Sequence, residues 1–188
     1  MKKLAVIGAS YLQLPLIEKA KSLGYETHVF AWKAGDVGEE AADVFHPISI
    51  LEKEAVLEAC RPLGLCGVCT IGTDLGAVTA NYVAHALGLP CNSPEASFRA
   101  SNKHAMRRAF EEGGDPSPRS VAVRSPGEAA EKSRDFVYPI IVKPTDRSGS
   151  RAITRLESPE GLEAAVEAAL AVSFEKQAVV EEYAEGVE

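Results

Sequence analysis

Hydrophobic residues fall in short bursts that alternate between two periods. Leu4 to Ala9 is a continuous apolar run, the pattern of a strand buried on both faces. Leu16, Ile17, Ala20 and Leu23 then recur at helical spacing, with Gly24 placed as a C-cap. Thr27–Trp32 predicts a second strand, Ala42–Ile48 a short third and Gly67–Ile71 a fourth. Ser49 with Glu52 forms a capping box for a helix through about Cys60, and a further helix over about Leu75–Leu87 stops at Gly88 and Pro90. Strands separated by helices of crossover length predict a parallel sheet covered on both sides, in a unit ending near residue 92.

The pattern then changes. Ser93-Pro94, Ser125-Pro126 and Ser158-Pro159 each announce a helix, the serine capping free N–H groups and the proline filling the first position. Ser125 has Glu128 three residues on, a second capping box. Leu162, Ala165, Val166, Ala169 and Leu170 make one helical stripe. Strands are predicted at Ser120–Val123, Tyr138–Lys143, Ala152–Leu156 and Ala178–Tyr183. That β-α-β-β-α-β order predicts an antiparallel sheet with helices on one face. The expected organisation is a substrate-side domain over 1–92, linker helices over 93–117 and an α+β lobe over 118–188. The breakers in Glu112–Pro118 mark the boundary before the lobe.

Composition narrows the function. With 20 Lys+Arg against 27 Asp+Glu the chain carries a net charge of -7, a poor match for a nucleic-acid backbone. Apolar stretches are broken within about ten residues, too short for a bilayer span. The opening Met-Lys-Lys-Leu-Ala-Val-Ile lacks a clear cleavage site and reads as a first strand, so a cytoplasmic protein is expected, with neither nucleic acid nor membrane as partner. Cys66-Gly-Val-Cys69 is formally a CxxC, but on a strand residues three apart face opposite ways. It and the other two cysteines, Cys60 and Cys91, are expected as buried reduced thiols with no metal site.

Several segments could carry chemistry. Gly8-Ala-Ser10 follows the first strand, but lacks the glycines of a dinucleotide fingerprint, and the second strand ends Phe30-Ala31-Trp32 rather than in an acid for a ribose. An NAD-dependent oxidoreductase therefore fails twice. Gly8, Ser10, Thr73 and Asp74 still lie at the carboxyl ends of predicted parallel strands, where such sheets bind ligands, and are candidates for substrate contact; capping is the simpler role for Thr73 and Asp74. Tyr138–Arg151 joins an apolar strand ending in Lys143 to a small-residue loop with Ser148, Gly149 and Ser150. Successive N–H groups and hydroxyls can curl round an anion while lysine supplies a compact charge, so this segment predicts phosphate binding. Lys103, at a helix start in Ser101-Asn-Lys-His104, is a second cation for phosphate or a solvated surface lysine. Ala178–Glu188 is a strand running into carboxylates that suit a ribose, an exocyclic amine or plain solvation.

In this order the segments resemble the ATP-grasp superfamily of carboxylate–amine ligases, of the biotin carboxylase and carbamoyl phosphate synthetase large-subunit type. The resemblance rests on Leu87–Ala96, Asn102–Arg107, Pro139–Ile153 and Val180–Glu188 and spans the chain. It implies ATP and Mg2+ as cofactors, with small-molecule carboxylate and amine substrates. It implies that Lys103 and Lys143 contact the α- and β-phosphates, that Ser148, Gly149 and Ser150 close over the β- and γ-phosphates, that Glu181, Glu182, Tyr183 and Ala184 hold adenine, and that Glu188 takes the ribose. Ala152 stands where a glycine is common, which stiffens the loop. The family's second lobe, with its magnesium ligands and a catalytic arginine, has no counterpart up to Glu188. The expectation is a ligase fragment with no catalytic residue of its own, inactive alone; the alternative is a non-catalytic nucleotide-binding or scaffold module that pairs with a partner chain. Apolar surface left open on one lobe predicts a homodimer.

Overall fold

In the computed structural model, residues 1–186 are described, and the chain divides into two compact units, Met1–Phe98 and Arg99–Glu188. The first unit is a four-stranded parallel sheet in the order β3-β2-β1-β4, with β1 Lys2–Ile7, β2 Tyr25–Phe30, β3 Val44–His46 and β4 Leu65–Cys69. The unbroken apolar run of β1 serves both faces. Ala5 and Ile7 join Phe30 in packing against α3 (Lys53–Cys60) and α4 (Asp74–Ala86). Val6 joins Val29 in packing around Ile17 of α1 (Leu14–Ser22). A chain that alternates its neighbours in this way needs hydrophobic side chains at every position.

One helix escaped the hydrophobic pattern. α2 (Val37–Ala41) is a single turn fixed by an Asp36/Glu39 capping box rather than by an apolar stripe. Its Gly38 donates to the Ala9 carbonyl at 2.8 Å, and a Cβ at Gly38 would run into the Ala9 backbone, so glycine is needed for that close approach.

α5 (Pro94–Ser101) begins at the Ser-Pro signal as expected. In the second unit α6 (Lys103–Gly113) is followed by β5 (Ser120–Val123), α7 (Pro126–Lys132), β6 (Ile140–Pro144), β7 (Thr154–Leu156), α8 (Leu162–Val172) and β8 (Ala178–Glu182). The sheet is antiparallel, ordered β5-β8-β6-β7. Val123, Ile140, Val142, Ala178 and Val180 point to one face and form a core with Ala129 of α7 and Leu162, Ala165, Val166 and Ala169 of α8. The two-residue period then puts Ile141, Lys143, Val179 and Glu181 on the opposite face.

Three expectations need correction. Ser49 is not the N-cap of α3: the helix begins at Lys53 with Glu52 as its N-cap, and the Glu52 carboxylate accepts from Ser49 N–H at 3.3 Å in the turn before it. α8 begins at Leu162 with Gly161 as its N-cap, three residues beyond Ser158-Pro159, because the Pro159 carbonyl closes a separate turn onto Leu162 N–H. The four cysteines are free, but only Cys60 is buried; Cys66 is exposed and Cys69 half-buried because β4, which carries both, is an edge strand of this sheet, and Cys91 is exposed in the segment between α4 and α5. Burial raises the Cys60 and Cys69 thiols to about 11. No described helix is long and apolar enough to cross a membrane.

Candidate functional site

Within the second unit, chemistry gathers on the sheet face that α7 and α8 leave uncovered. Glu181, at 3% exposure, lies in the inner strand β8. The β6–β8 register sets Ile141 opposite Glu181 and Lys143 opposite Val179, so Lys143 reaches Glu181 along a diagonal. Its Nζ stands 2.6 Å from Glu181 Oε2. α6 supplies the second cation: Arg107 Nε and Nη2 donate to the two Glu181 oxygens at 2.9 and 3.3 Å. Burial pushes the Glu181 carboxyl up, but the bonds from Arg107 and Lys143 outweigh it and hold it below the usual carboxylate range. Two cations around one carboxylate leave a surplus of positive charge on this face.

Lys103 begins α6 beside the end of β6. Asn102 caps the helix, its Oδ1 accepting from His104 and Ala105 N–H at 3.1 Å each. Lys103 N–H donates to the Thr145 carbonyl at 2.9 Å, and its Nζ to the Arg147 carbonyl. Lys103 is thereby fastened to the loop that follows Lys143. The loop base is tied further: Asn102 Nδ2 donates to Glu175 at 2.9 Å, and Glu175 N–H to Asp146 Oδ2 at 2.7 Å. Beyond this base Ser148, Gly149 and Ser150 are exposed, with left-handed backbone at Gly149 (φ 70°) and Ser150 (φ 54°). Arg147 lies over the Phe174 ring at 4.2 Å, and Arg155 over the ring of Tyr183 at 4.2 Å. Glu182 is engaged by Arg119. Ala184 is exposed just past β8, and Glu188 lies outside the described residues. Arg107, four residues from Lys103 on the same helical face, is the residue the sequence reading passed over; the i,i+4 cation pair was its only signal.

Within the first unit a cavity of about 240 Å³ opens at the carboxyl ends of the strands. Gly8, Ser10 and Thr73 line it; Asp74 does not, and starts α4 behind the Thr73 cap, whose side chain accepts from Gly76 N–H. Gln13, also missed, is 3% exposed and spans the cleft floor. Its Oε1 accepts from Ser10 N–H at 3.0 Å and Ser10 Oγ–H at 2.7 Å, and its Nε2 donates to the Ile71 carbonyl. A Cβ on Gly8 (φ 104°) would sit 2.9 Å from the Gln13 carboxamide. The lone glycine thus makes room for this amide.

No family model matches the chain. It is 30% identical over 145 residues to the carbamoyl phosphate synthase large chain of Sulfolobus acidocaldarius, covering 73% of this chain and 14% of that protein. It is 25% identical over 142 residues to the C-terminal section of the Methanopyrus kandleri large chain, covering 76% of this chain and 26% of the other. Among solved structures, phosphoribosylglycinamide synthetase from Anaerococcus prevotii superposes with a TM-score of 0.70 at 25% identity, over 98% of this chain and 46% of that one. The biotin carboxylase domain of Hydrogenobacter thermophilus 2-oxoglutarate carboxylase gives 0.80 at 17% identity, over 98% and 44%. The chain therefore spans about a quarter or less of these curated relatives and under half of these structures.

Proposed function

We infer that this chain, which belongs to the ATP-grasp superfamily and carries its N-terminal portion, supplies the substrate-side domain and one side of the nucleotide site of a carboxylate–amine ligase. The observation that carries the reading is that Lys103 and Lys143 both stand at the base of one exposed small-residue loop, Lys143 near the end of the strand that leads into it and Lys103 bonded to the Thr145 and Arg147 carbonyls. Cations and a pliant run of N–H groups suit a polyphosphate. In the proposed reaction ATP gives its γ-phosphoryl group to a carboxylate oxygen. The bridging P–O bond breaks, and ADP leaves. The amine nitrogen then attacks the acyl carbon, the C–O bond to phosphate breaks, and the nitrogen loses its proton. Both steps depend on positioning and on neutralising charge at the transferring group.

On this reading Lys103 and Lys143 hold the α- and β-phosphates, and Ser148 to Ser150 fold over the β- and γ-phosphates. Adenine is held through backbone groups of residues 181–184, because the Glu181 side chain is already engaged by Lys143 and Arg107. No three potential metal-ligating side chains converge among the described residues; magnesium would take ligands outside them. Residues 1–188 alone are proposed to bind nucleotide without ligase turnover.

The test is MgADP titration by calorimetry against the double variant Lys103→Ala/Lys143→Ala. Affinity is expected to fall about tenfold or more. Undiminished affinity removes the reading, and sustained substrate-dependent ADP release by the 188-residue chain removes its claim of inactivity.

A further inference from the structure

We propose that the cleft at the carboxyl ends of β1, β2 and β4 receives the amine reactant, and neither a carboxylate nor a phosphate; only the word reactant rests on the ligase reading. The cleft lies beside the point where the strand order reverses, between β1 and β4, where open parallel sheets take their ligands. Its size suits one small organic group.

The chemistry of its walls chooses among such groups. An anion needs N–H donors or cations. The loop after β2 has a suitable run of N–H groups, but the protein already fills it with a carboxylate of its own. Ala34, Gly35 and Asp36 N–H all donate to Glu39 Oε1, at 2.7, 2.7 and 3.1 Å. In the β1 loop Ser10 N–H is taken by Gln13, and Gly38 N–H by the Ala9 carbonyl. No lysine, arginine or histidine is among the lining residues. Lys33, on the same loop, stays outside the lining, within electrostatic reach of Glu39.

What remains suits a cation or a neutral amine. Asp36 is the one acidic side chain in the lining, at the N-cap of α2. Trp32, 71% exposed, offers an aromatic face on the same cleft. An acid beside an indole is a standard arrangement for an ammonium group. The oxygens of Ser49 and Thr73 accept from Leu51 and Gly76 N–H, at 3.3 and 3.2 Å, and each hydroxyl oxygen has a second lone pair that can accept from an ammonium N–H.

Trp32 is the only tryptophan of the chain, so it reports on this cleft alone. The experiment follows its fluorescence at pH 7 while the 188-residue chain is titrated separately with benzylamine, benzoate and inorganic phosphate. Benzylamine is expected to give a saturating change, with benzoate and phosphate giving none over the same range. Asp36→Asn keeps a capping oxygen and removes the charge; it is expected to weaken benzylamine by about fivefold with an unchanged urea midpoint. Asp36→Ser, which also caps, replaces it if that midpoint falls. The proposal is overturned if benzoate or phosphate binds as well as the amine, if both Asp36 variants bind benzylamine like the parent, or if no amine signal saturates. MgADP titrated into the same samples reads the nucleotide site, so failure there leaves the amine result standing, and the reverse.

Discussion

Glu181 is a carboxylate where a carboxylate is costly: nearly fully buried, in one of the two inner strands of a four-stranded sheet. It stays ionised because Lys143 and Arg107 both reach it. Glu181→Ala would leave those two cations facing each other, and stability measured in urea is expected to fall by about 3 kcal/mol. Ala152 carries a smaller local strain. It follows the small-residue loop at φ 49°, a conformation costly for an L-residue with a Cβ. Ala152→Gly removes that strain but adds freedom to the unfolded chain, and a net gain of about 0.5 kcal/mol is expected in the same assay. Lys143 was legible in the sequence because a lysine ending an apolar strand is conspicuous. Arg107 was not, since its role exists only once β6 and β8 are in register and α6 lies over them. Ala152 stood out because a glycine is common at that place in the family it resembles, and its backbone is left-handed.

Elements were legible to the extent that burial sets their pattern. β1 and α4 could be read from apolar runs and stripes, whereas α2 depends on one capping exchange and was passed over. Gly8 was expected to serve a ligand directly, or to be only a tight turn; its space is filled by the chain's own Gln13. Gly8→Ala would force a Cβ into that carboxamide at a positive φ, and a loss of about 2 kcal/mol is expected by thermal melting. Two histidines meet where β2 pairs with the edge strand β3. His28, 3% exposed, meets His46 at 3.0 Å through Nδ1 and Glu26 at 3.0 Å through Nε2, and His46 stacks on Phe30 at 4.3 Å. Burial first, and the charge of His28 second, push the His46 imidazole below its ordinary value. The same burial effect, with Arg108 and Lys132, lowers His104. A histidine lowered in the folded state binds fewer protons there than when unfolded. Its contribution is present above the ordinary value of 6.5 and is lost as pH falls through and below it. Glu181, lowered from 4.5, contributes above that value and is lost in a second, more acidic window. Urea midpoints from pH 8 to 3 are expected to fall in two stages, and His46→Asn is expected to reduce the first.

At the scale of the whole molecule each unit has a core of its own, one built around a parallel sheet and the other around an antiparallel sheet. That division was visible in the change from crossover helices to Ser-Pro-capped ones, because sheet type constrains connection length. What the sequence could not convey was that α6 belongs with the second sheet: its tie to Glu181 spans 74 residues. The consequence can be checked by hydrogen exchange. A ligand that binds only the folded form stabilises the unit it touches, by about 2.7 kcal/mol at a hundredfold excess over its Kd. MgADP is therefore expected to slow exchange in α6, β6 and β8 and in the 145–153 loop, and to leave β1, β2 and β4 unchanged. Benzylamine is expected to do the reverse, protecting the loops after β1, β2 and β4 and the Ser49–Ile50 segment while leaving α6, β6 and β8 unchanged. Protection spread equally over both units by either compound would mean that the two sites do not act as separate sites on separate cores.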